Sequence, residues 1–343
     1  MFNNDEPKIK GIKKLFIKNQ TIISSGLPSL DSIIGGGIPL GSYFLLEEDE
    51  YGVYSNIILK HFLAEGIIND HALLLGGQSV DSRKFIFDLP SPLHFHDTNN
   101  LNSGQTNNNE DSLRIAWRYQ NLPNDTINLN TSIFGNTYDM STKIKKCVIE
   151  KALIYHWNSY CVEFSYEKLF AYIKNVIEES QCSTYAPVPN RTVLRIALFS
   201  LGTALWKGNL IKFLIKLRFL LRNSCASCFI TLPTHLLKDL KILHRCEHLC
   251  DTVVQLKSLI NNGNMAYSDY QGLVILKKLP IINTWTFSVP ESNDYAFKIK
   301  KKHFIIEKLH ISPEFKEKVH REEEDVSEEY KTTQIISNIS HLF

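Results

Sequence analysis

Apolar and polar positions follow two periods along this chain, and the switch between them outlines the elements. Ala72–Leu75, Val193–Phe199 and Cys228–Leu232 are continuous apolar runs, the pattern of strands covered on both faces. Tyr43–Leu46, Thr252–Leu256 and Gly272–Leu276 read as further strands. Between these runs the apolar residues recur at helical spacing. Tyr166–Glu179 puts Leu169, Phe170, Ile173, Val176 and Ile177 on one face. Asn209–Arg222 turns Leu210, Phe213, Leu214, Leu217, Leu220 and Leu221 inward, with Lys212, Lys216, Arg218 and Arg222 outward. Ser55–Ile68 is a third helix, Lys84–Leu89 a short one stopped by Pro90 and Pro92, and Pro233 is expected to open another through Leu243. A short helix over Leu27–Ile34, capped by Ser24 or Ser25, is expected to stop on Gly35–Gly37. Strands alternating with helices predict an α/β fold with a mostly parallel central sheet flanked by helices.

Composition changes the picture at three places. Residues 1–20 are polar and Lys-rich and read as a lead-in with at most one strand. Residues 98–111 are Asn-rich and bury too little apolar surface to order, so they are expected to be a disordered surface insertion. Beyond residue 312 the chain turns acidic, with Glu322, Glu323, Glu324, Asp325, Glu328 and Glu329, and reads as a solvated mobile tail over 313–343. The domain proper is therefore placed at 21–312. A net charge of only +2 means that nucleic-acid binding must come from a local patch. Seven scattered cysteines and no secretory leader favour reduced thiols and an intracellular address. No run approaches the roughly 18 apolar residues of a membrane helix.

Candidate chemistry concentrates after the Tyr43–Leu46 strand. A strand, a turn with Gly52 and then a helix is the setting of a P-loop, G-x-x-x-x-G-K-[ST]. Of its defining positions only Gly52 remains: Glu47 replaces the first glycine, Val53 the lysine and Tyr54 the Ser/Thr. Glu47, Glu48, Asp49 and Glu50 place four carboxylates where phosphate would sit. One like-charge pair at ~4 Å costs about 4 kcal/mol at an effective dielectric near 20. The loop is expected to repel a triphosphate. The acid that should end the Val193–Phe199 strand and hold a Mg²⁺-bound water is replaced by Ser200-Leu201-Gly202. A catalytic glutamate after Ala72–Leu75 is replaced by Gly76-Gly77-Gln78-Ser79. Cys225 and Cys228 form C-x-x-C, with Cys246 and Cys250 further on, but without the turn residues of a zinc knuckle; they are read as packed thiols, with no metal expected. Lys298, Lys300, Lys301 and Lys302, beside Tyr295, Phe297 and Phe304, are the best cations-with-aromatics cluster for RNA. The alternative for that cluster is a strand with solvated charges.

Ser25-Gly26, Leu30-Asp31, Gly35-Gly36-Gly37 and Gly41 resemble the entry motif of RecA-like and KaiC-like ATPases. A more specific resemblance is to the PAXNEB family, the fourth subunit of the Elongator complex. It rests on Leu45-Leu46-Glu47-Glu48-Asp49-Glu50, Ile115-Ala116-Trp117-Arg118-Tyr119-Gln120, Leu194-Arg195-Ile196-Ala197-Leu198, Pro233-Thr234-His235-Leu236 and Asp294-Tyr295-Ala296-Phe297-Lys298. The resemblance implies a RecA-like fold and a hetero-hexameric ring with Elongator subunits five and six. That ring binds tRNA and docks on the catalytic Elongator subcomplex, which modifies the wobble uridine. It further implies that Arg191, Arg195 and Lys207, on loops after central strands, are secondary tRNA candidates. A cytoplasmic and nuclear location goes with it. No cofactor is expected for this chain alone; ATP at shared ring interfaces is the alternative, as is a pure scaffold without RNA contact.

Overall fold

The computed structural model describes residues 9–15, 20–77, 81–93, 134–157, 164–182, 192–237, 239–260, 267, 269–282, 290, 292, 294–300 and 302–309. The Asn-rich insertion, the Trp117–Arg118 block, Gln78, Ser79 and the acidic tail lie outside them.

Strands β1 (Ile12–Leu15) and β2 (Gln20–Ile23) pair antiparallel, and β3 (Ile38–Pro39) joins β2. The predicted lead-in therefore already carries one strand of a small sheet. Helix α1 (Pro28–Ile33) lies between β2 and β3. Its N-cap is Leu27, without a side-chain cap. Ser24 and Ser25, the predicted caps, bond the Asp31 carboxylate instead. Gly37 shows why the glycines stop α1: its φ is 143°, and a Cβ there would lie 2.6 Å from the Ile23 carbonyl oxygen.

The chain then runs through β4 (Tyr43–Glu47), α2 (Val53–Ile68), β5 (Ala72–Gly77), α3 (Ser82–Phe87), β6 (Pro90–Pro92), β7 (Tyr138–Lys143), α4 (Lys146–Ile149), β8 (Ile154–Trp157), α5 (Tyr166–Glu179), β9 (Leu194–Phe199), α6 (Leu210–Arg222), β10 (Ala226–Leu232), α7 (Leu240–Leu249) and β11 (Thr252–Ser258). It ends with β12 (Gly272–Lys278), β13 (Asp294–Lys300) and β14 (His303–Lys308). The helix expected to open at Pro233 is a single 3-10 turn, Thr234–Leu236, and α7 starts only after Asp239, whose carboxylate caps it.

Among the described residues the central sheet has nine strands in the order β14-β13-β12-β11-β4-β10-β9-β5-β8. The strands from β11 to β8 are parallel; β12, β13 and β14 add an antiparallel edge. This is the α/β fold with a mostly parallel central sheet flanked by helices that the alternation of apolar runs predicted. Alternate side chains go to opposite faces. Phe44 and Leu46 of β4 enter one hydrophobic cluster with α1, α2 and α3, while Tyr43 and Leu45 enter the other with α5, α6 and α7. Fully burying one such side chain contributes about 1.5–3 kcal/mol, so the sheet's two-sided cover fixes its register. That register brings the C-terminal ends of β4, β10, β9, β5 and β8 to one edge, where Glu47 faces Leu232, Gly77 faces Phe199 and Gly76 faces Trp157.

Candidate functional site

The loop from β4 to α2 sits at that edge, where parallel α/β sheets bind ligands. Gly52 takes a left-handed φ of 66° and starts α2. The helix exposes its first backbone N–H groups, the donors that a phosphate would use. Those donors are already occupied. The Asp49 carboxylate accepts from the N–H of Val53 at 2.9 Å, Tyr54 at 3.4 Å and Ser55 at 2.9 Å. Asp49 is 1% exposed. Tyr54 is buried and its ring packs edge-on against Phe297 at 4.6 Å, while Val53 and Tyr51 face solvent.

The other acids do not form the repulsive wall expected from the sequence. Glu47 is fully buried, and both its carboxylate oxygens accept from Lys277 Nζ at 2.8 Å. Lys277 also donates to Glu247 at 2.7 Å. The cation missing at Val53 is thus supplied from β12. Glu48 accepts from Ser200 Oγ at 2.8 Å, at the strand end where a metal-binding acid was sought. Only Glu50 of the four is exposed. The loop is filled and cross-braced by its own side chains, and three of the four acids are held by internal donors.

Burial pushes the Glu47 carboxyl up from the ordinary 4.5 to about 7, against the opposing pull of Lys277. The folded chain therefore binds this proton more tightly than the unfolded chain. The resulting stability is full below pH 4.5 and is lost as pH rises through 7. A Glu47→Gln variant will lack this component. The difference in unfolding free energy between wild type and variant should shift against wild type from pH 4.5 to 7, as read by denaturant melts. A constant difference across that range would contradict the assignment.

The RNA candidates separate into different surroundings. Lys298 is ion-paired with Glu307 and lies over the Tyr270 ring at 5.6 Å. Lys302 approaches Asp139 at 3.6 Å, and Lys300 is exposed. Lys301 and Arg191 lie outside the described residues. Lys207 is exposed, and its main chain bonds Phe164 and Tyr166. Arg195 is corrected: it is not on a loop and is 0% exposed. It sits inside β9 and donates to His71 Nδ1 at 3.0 Å and to the Ser24 and Phe62 carbonyls at 2.8 and 3.0 Å. A central strand covered on both faces offers no solvent position for it.

Cys228, Cys246 and Cys250 pack in the core, where burial pushes the Cys246 thiol up to about 12 and holds the Cys228 and Cys250 thiols well above the ordinary thiol value. No group of three or more His, Cys, Asp or Glu able to hold a metal is found among the described residues. No described helix is long and apolar enough to cross a membrane. An aromatic group went unnoticed in the sequence: Trp157 of β8, Tyr166 of α5, Phe213 of α6, and Phe164 and Trp206 from the loops before α5 and α6 meet beside the β8 end.

The PAXNEB protein family model matches residues 5–338. Elongator complex protein 4 of Homo sapiens is 35% identical, over 91% of this chain and 82% of that protein. The corresponding protein of Xenopus laevis is 34% identical, over 92% of this chain and 86% of that one. That of Dictyostelium discoideum is 31% identical, over 88% and 77% respectively. Among solved structures, a KaiC-like protein from Pyrococcus horikoshii aligns with a TM-score of 0.46 and 14% identity, over 84% of this chain and 99% of that one.

Proposed function

This chain belongs to the PAXNEB family, and from that premise we propose that it is a non-catalytic subunit of the Elongator complex. In this reading it forms an accessory ring with Elongator subunits five and six. The ring binds tRNA and presents it to the catalytic Elongator subcomplex for wobble-uridine modification, in the cytoplasm and nucleus. The observation that carries the proposal is the match to Elongator complex protein 4 relatives over nearly the full chain. The non-catalytic part is supported by the filled β4–α2 loop. Its helix N-terminus is bonded to Asp49, the lysine position holds an exposed valine, and Ser200 stands at the end of β9. Phosphoryl transfer depends on a cation and a metal-holding acid at those places. The chain by itself needs no cofactor in this reading.

Co-expression of the full chain with subunits five and six tests it. The expected product is a hexamer by sedimentation that shifts tRNA in a gel, with no saturable ATP binding by this chain alone. A chain that stays monomeric beside those partners and shifts no tRNA would sink the proposal. Saturable ATP binding by the isolated chain would restore the reading as a divergent ATPase.

A further inference from the structure

The lysine cluster picked from the sequence is half neutralised, since Lys298 and Lys302 face Glu307 and Asp139. Acids hold cations elsewhere too: Arg218 and Arg222 lie against Asp251, Lys10 against Asp70, and Lys277 between Glu47 and Glu247. The stripe formed by α3 and α4, beside edge strand β8, is different. It carries Arg83, Lys84, Lys143, Lys145, Lys146 and Lys151, all exposed, with Asp81, Asp88 and Glu150 as its acids.

The fold assembles this stripe from two distant stretches of chain. Asp88, just past α3, pairs with Lys143 at the end of β7. The Ile144 N–H bonds the Leu89 carbonyl at 3.0 Å. Lys146, the first residue of α4, holds its ammonium 6.0 Å from the centroid of the exposed Phe87 ring. Phe85, Ile86 and Ile149 are buried in the cluster beneath, which leaves the charged residues of both helices at the surface. The stripe begins at the carboxyl edge of the sheet, where Ser82 Oγ meets His156 Nδ1 at 3.0 Å, and runs to the turn that enters β8.

Its acids leave most of the positive charge uncancelled. Asp88 is taken by Lys143. Asp81 caps α3 by accepting from the Arg83 and Lys84 N–H groups, and the Lys84 ammonium stands 4.0 Å from it. No ion pair reaches Arg83, Lys145, Lys146 or Lys151 among the described residues. Glu150 is the remaining acid beside those four cations. In a chain whose net charge is only +2, this is a concentrated local field.

Resting on the RNA reading above, we propose that the α3–α4 stripe is a surface by which this chain holds the tRNA phosphate backbone. Its composition favours phosphate over a protein partner. Five of the six cations are lysines, which protein interfaces deplete in favour of arginine and aromatics. An exposed lysine meets phosphate as a point charge, and the counterions released from the nucleic acid drive the contact. Such contacts fix position without reading bases, as presenting tRNA to a separate catalyst requires.

The test uses the full chain assembled with its ring partners and total tRNA as probe. The triple variant Lys145→Gln, Lys146→Gln, Lys151→Gln should weaken tRNA binding about tenfold at physiological salt. It should also lower the slope of log affinity against log salt by about 2, since each phosphate contact contributes roughly 0.7–0.9. A control of equal net charge, Lys212→Gln, Lys216→Gln, Lys241→Gln, should bind as wild type does. Bound tRNA should protect the Lys145, Lys146 and Lys151 amines from acylation by a succinimidyl ester, read by mass spectrometry. An assembled triple variant with wild-type affinity and slope overturns the stripe and leaves the RNA reading standing, as does an equal loss in the control. If the triple variant does not assemble, the wild-type ring decides: amines equally reactive with and without tRNA overturn the stripe. Amines already shielded by ring assembly alone make it a subunit contact and overturn it too. A wild-type ring that binds no tRNA at all overturns the RNA reading and the stripe together.

Discussion

Replacing Arg195 with alanine will cost about 3–5 kcal/mol of folding stability, the size expected for removing one partner of a buried ionic network. The guanidinium sits at the meeting point of β2, α2, β5 and β9. It bonds His71 and the carbonyls of Ser24 and Phe62, and lies over the Phe62 ring at 4.8 Å. Because Arg195 Nε donates to His71 Nδ1, that nitrogen must keep its lone pair. The ring proton is then on Nε2, which donates to the Lys10 carbonyl at 2.8 Å. Burial and the neighbouring guanidinium push the His71 pKa down to about 3, which keeps the ring in this neutral form. Buried acids balance the arginine's charge. Glu65 accepts from Tyr138 Oη at 2.6 Å and from Asn69 and Asn136. Asp31 accepts from Ser24 and Ser25, and burial raises it to about 7. Alanine would leave these acids without their cation and take a donor from the Ser24 carbonyl. Chemical denaturation measures the loss. A loss below about 0.5 kcal/mol, the scale of an ordinary surface change, would show that the network does not need its cation. The side chain reaches no surface, so the proposed tRNA binding by whatever folds should not depend on it.

That position shows where the sequence was legible and where it was not. Strands β4, β5, β9 and β10 and helices α5 and α6 fell where the apolar pattern put them, because each buries a long continuous face. The same pattern held the clue to Arg195. A residue in the middle of a run predicted to be covered on both faces has no route to solvent, yet its charge alone suggested a ligand-binding role. The surroundings of the lysines were illegible for a different reason. The partner of Lys298 is Glu307 on the next strand, and that pairing depends on the β13–β14 register, which sequence spacing does not give. Glu47 is similar: its cation comes from Lys277, 230 residues on. The stacked rings around Trp206 were invisible because β8 is only four residues long and carries no clear alternation.

Putting the two missing side chains back, by Val53→Lys with Tyr54→Thr, will not give the chain saturable MgATP affinity. A P-loop needs its lysine, but it also needs free N–H groups at the helix N-terminus. Here these are bonded to a carboxylate that belongs to the protein. Asp49 is held in place by the turn itself, since the Gly52 N–H donates to the Asp49 carbonyl at 2.9 Å and Gly52 takes the left-handed conformation that closes the loop. The resident anion is therefore present at an effective concentration that dissolved phosphate cannot match, and Glu48 braced on Ser200 narrows the approach. Its removal has its own cost. Asp49→Ala leaves the N–H groups of Val53 and Ser55 unpaired, and Ser55 is buried. With hydrogen bonds to a charged acceptor worth about 1.5–3 kcal/mol, the loss should be about 2–3 kcal/mol by denaturant melts. Calorimetry on the Val53→Lys, Tyr54→Thr chain decides the point. Saturable nucleotide binding with Asp49 still in place would mean that the carboxylate yields to phosphate and that the two replaced side chains, not the filled helix N-terminus, keep nucleotide out.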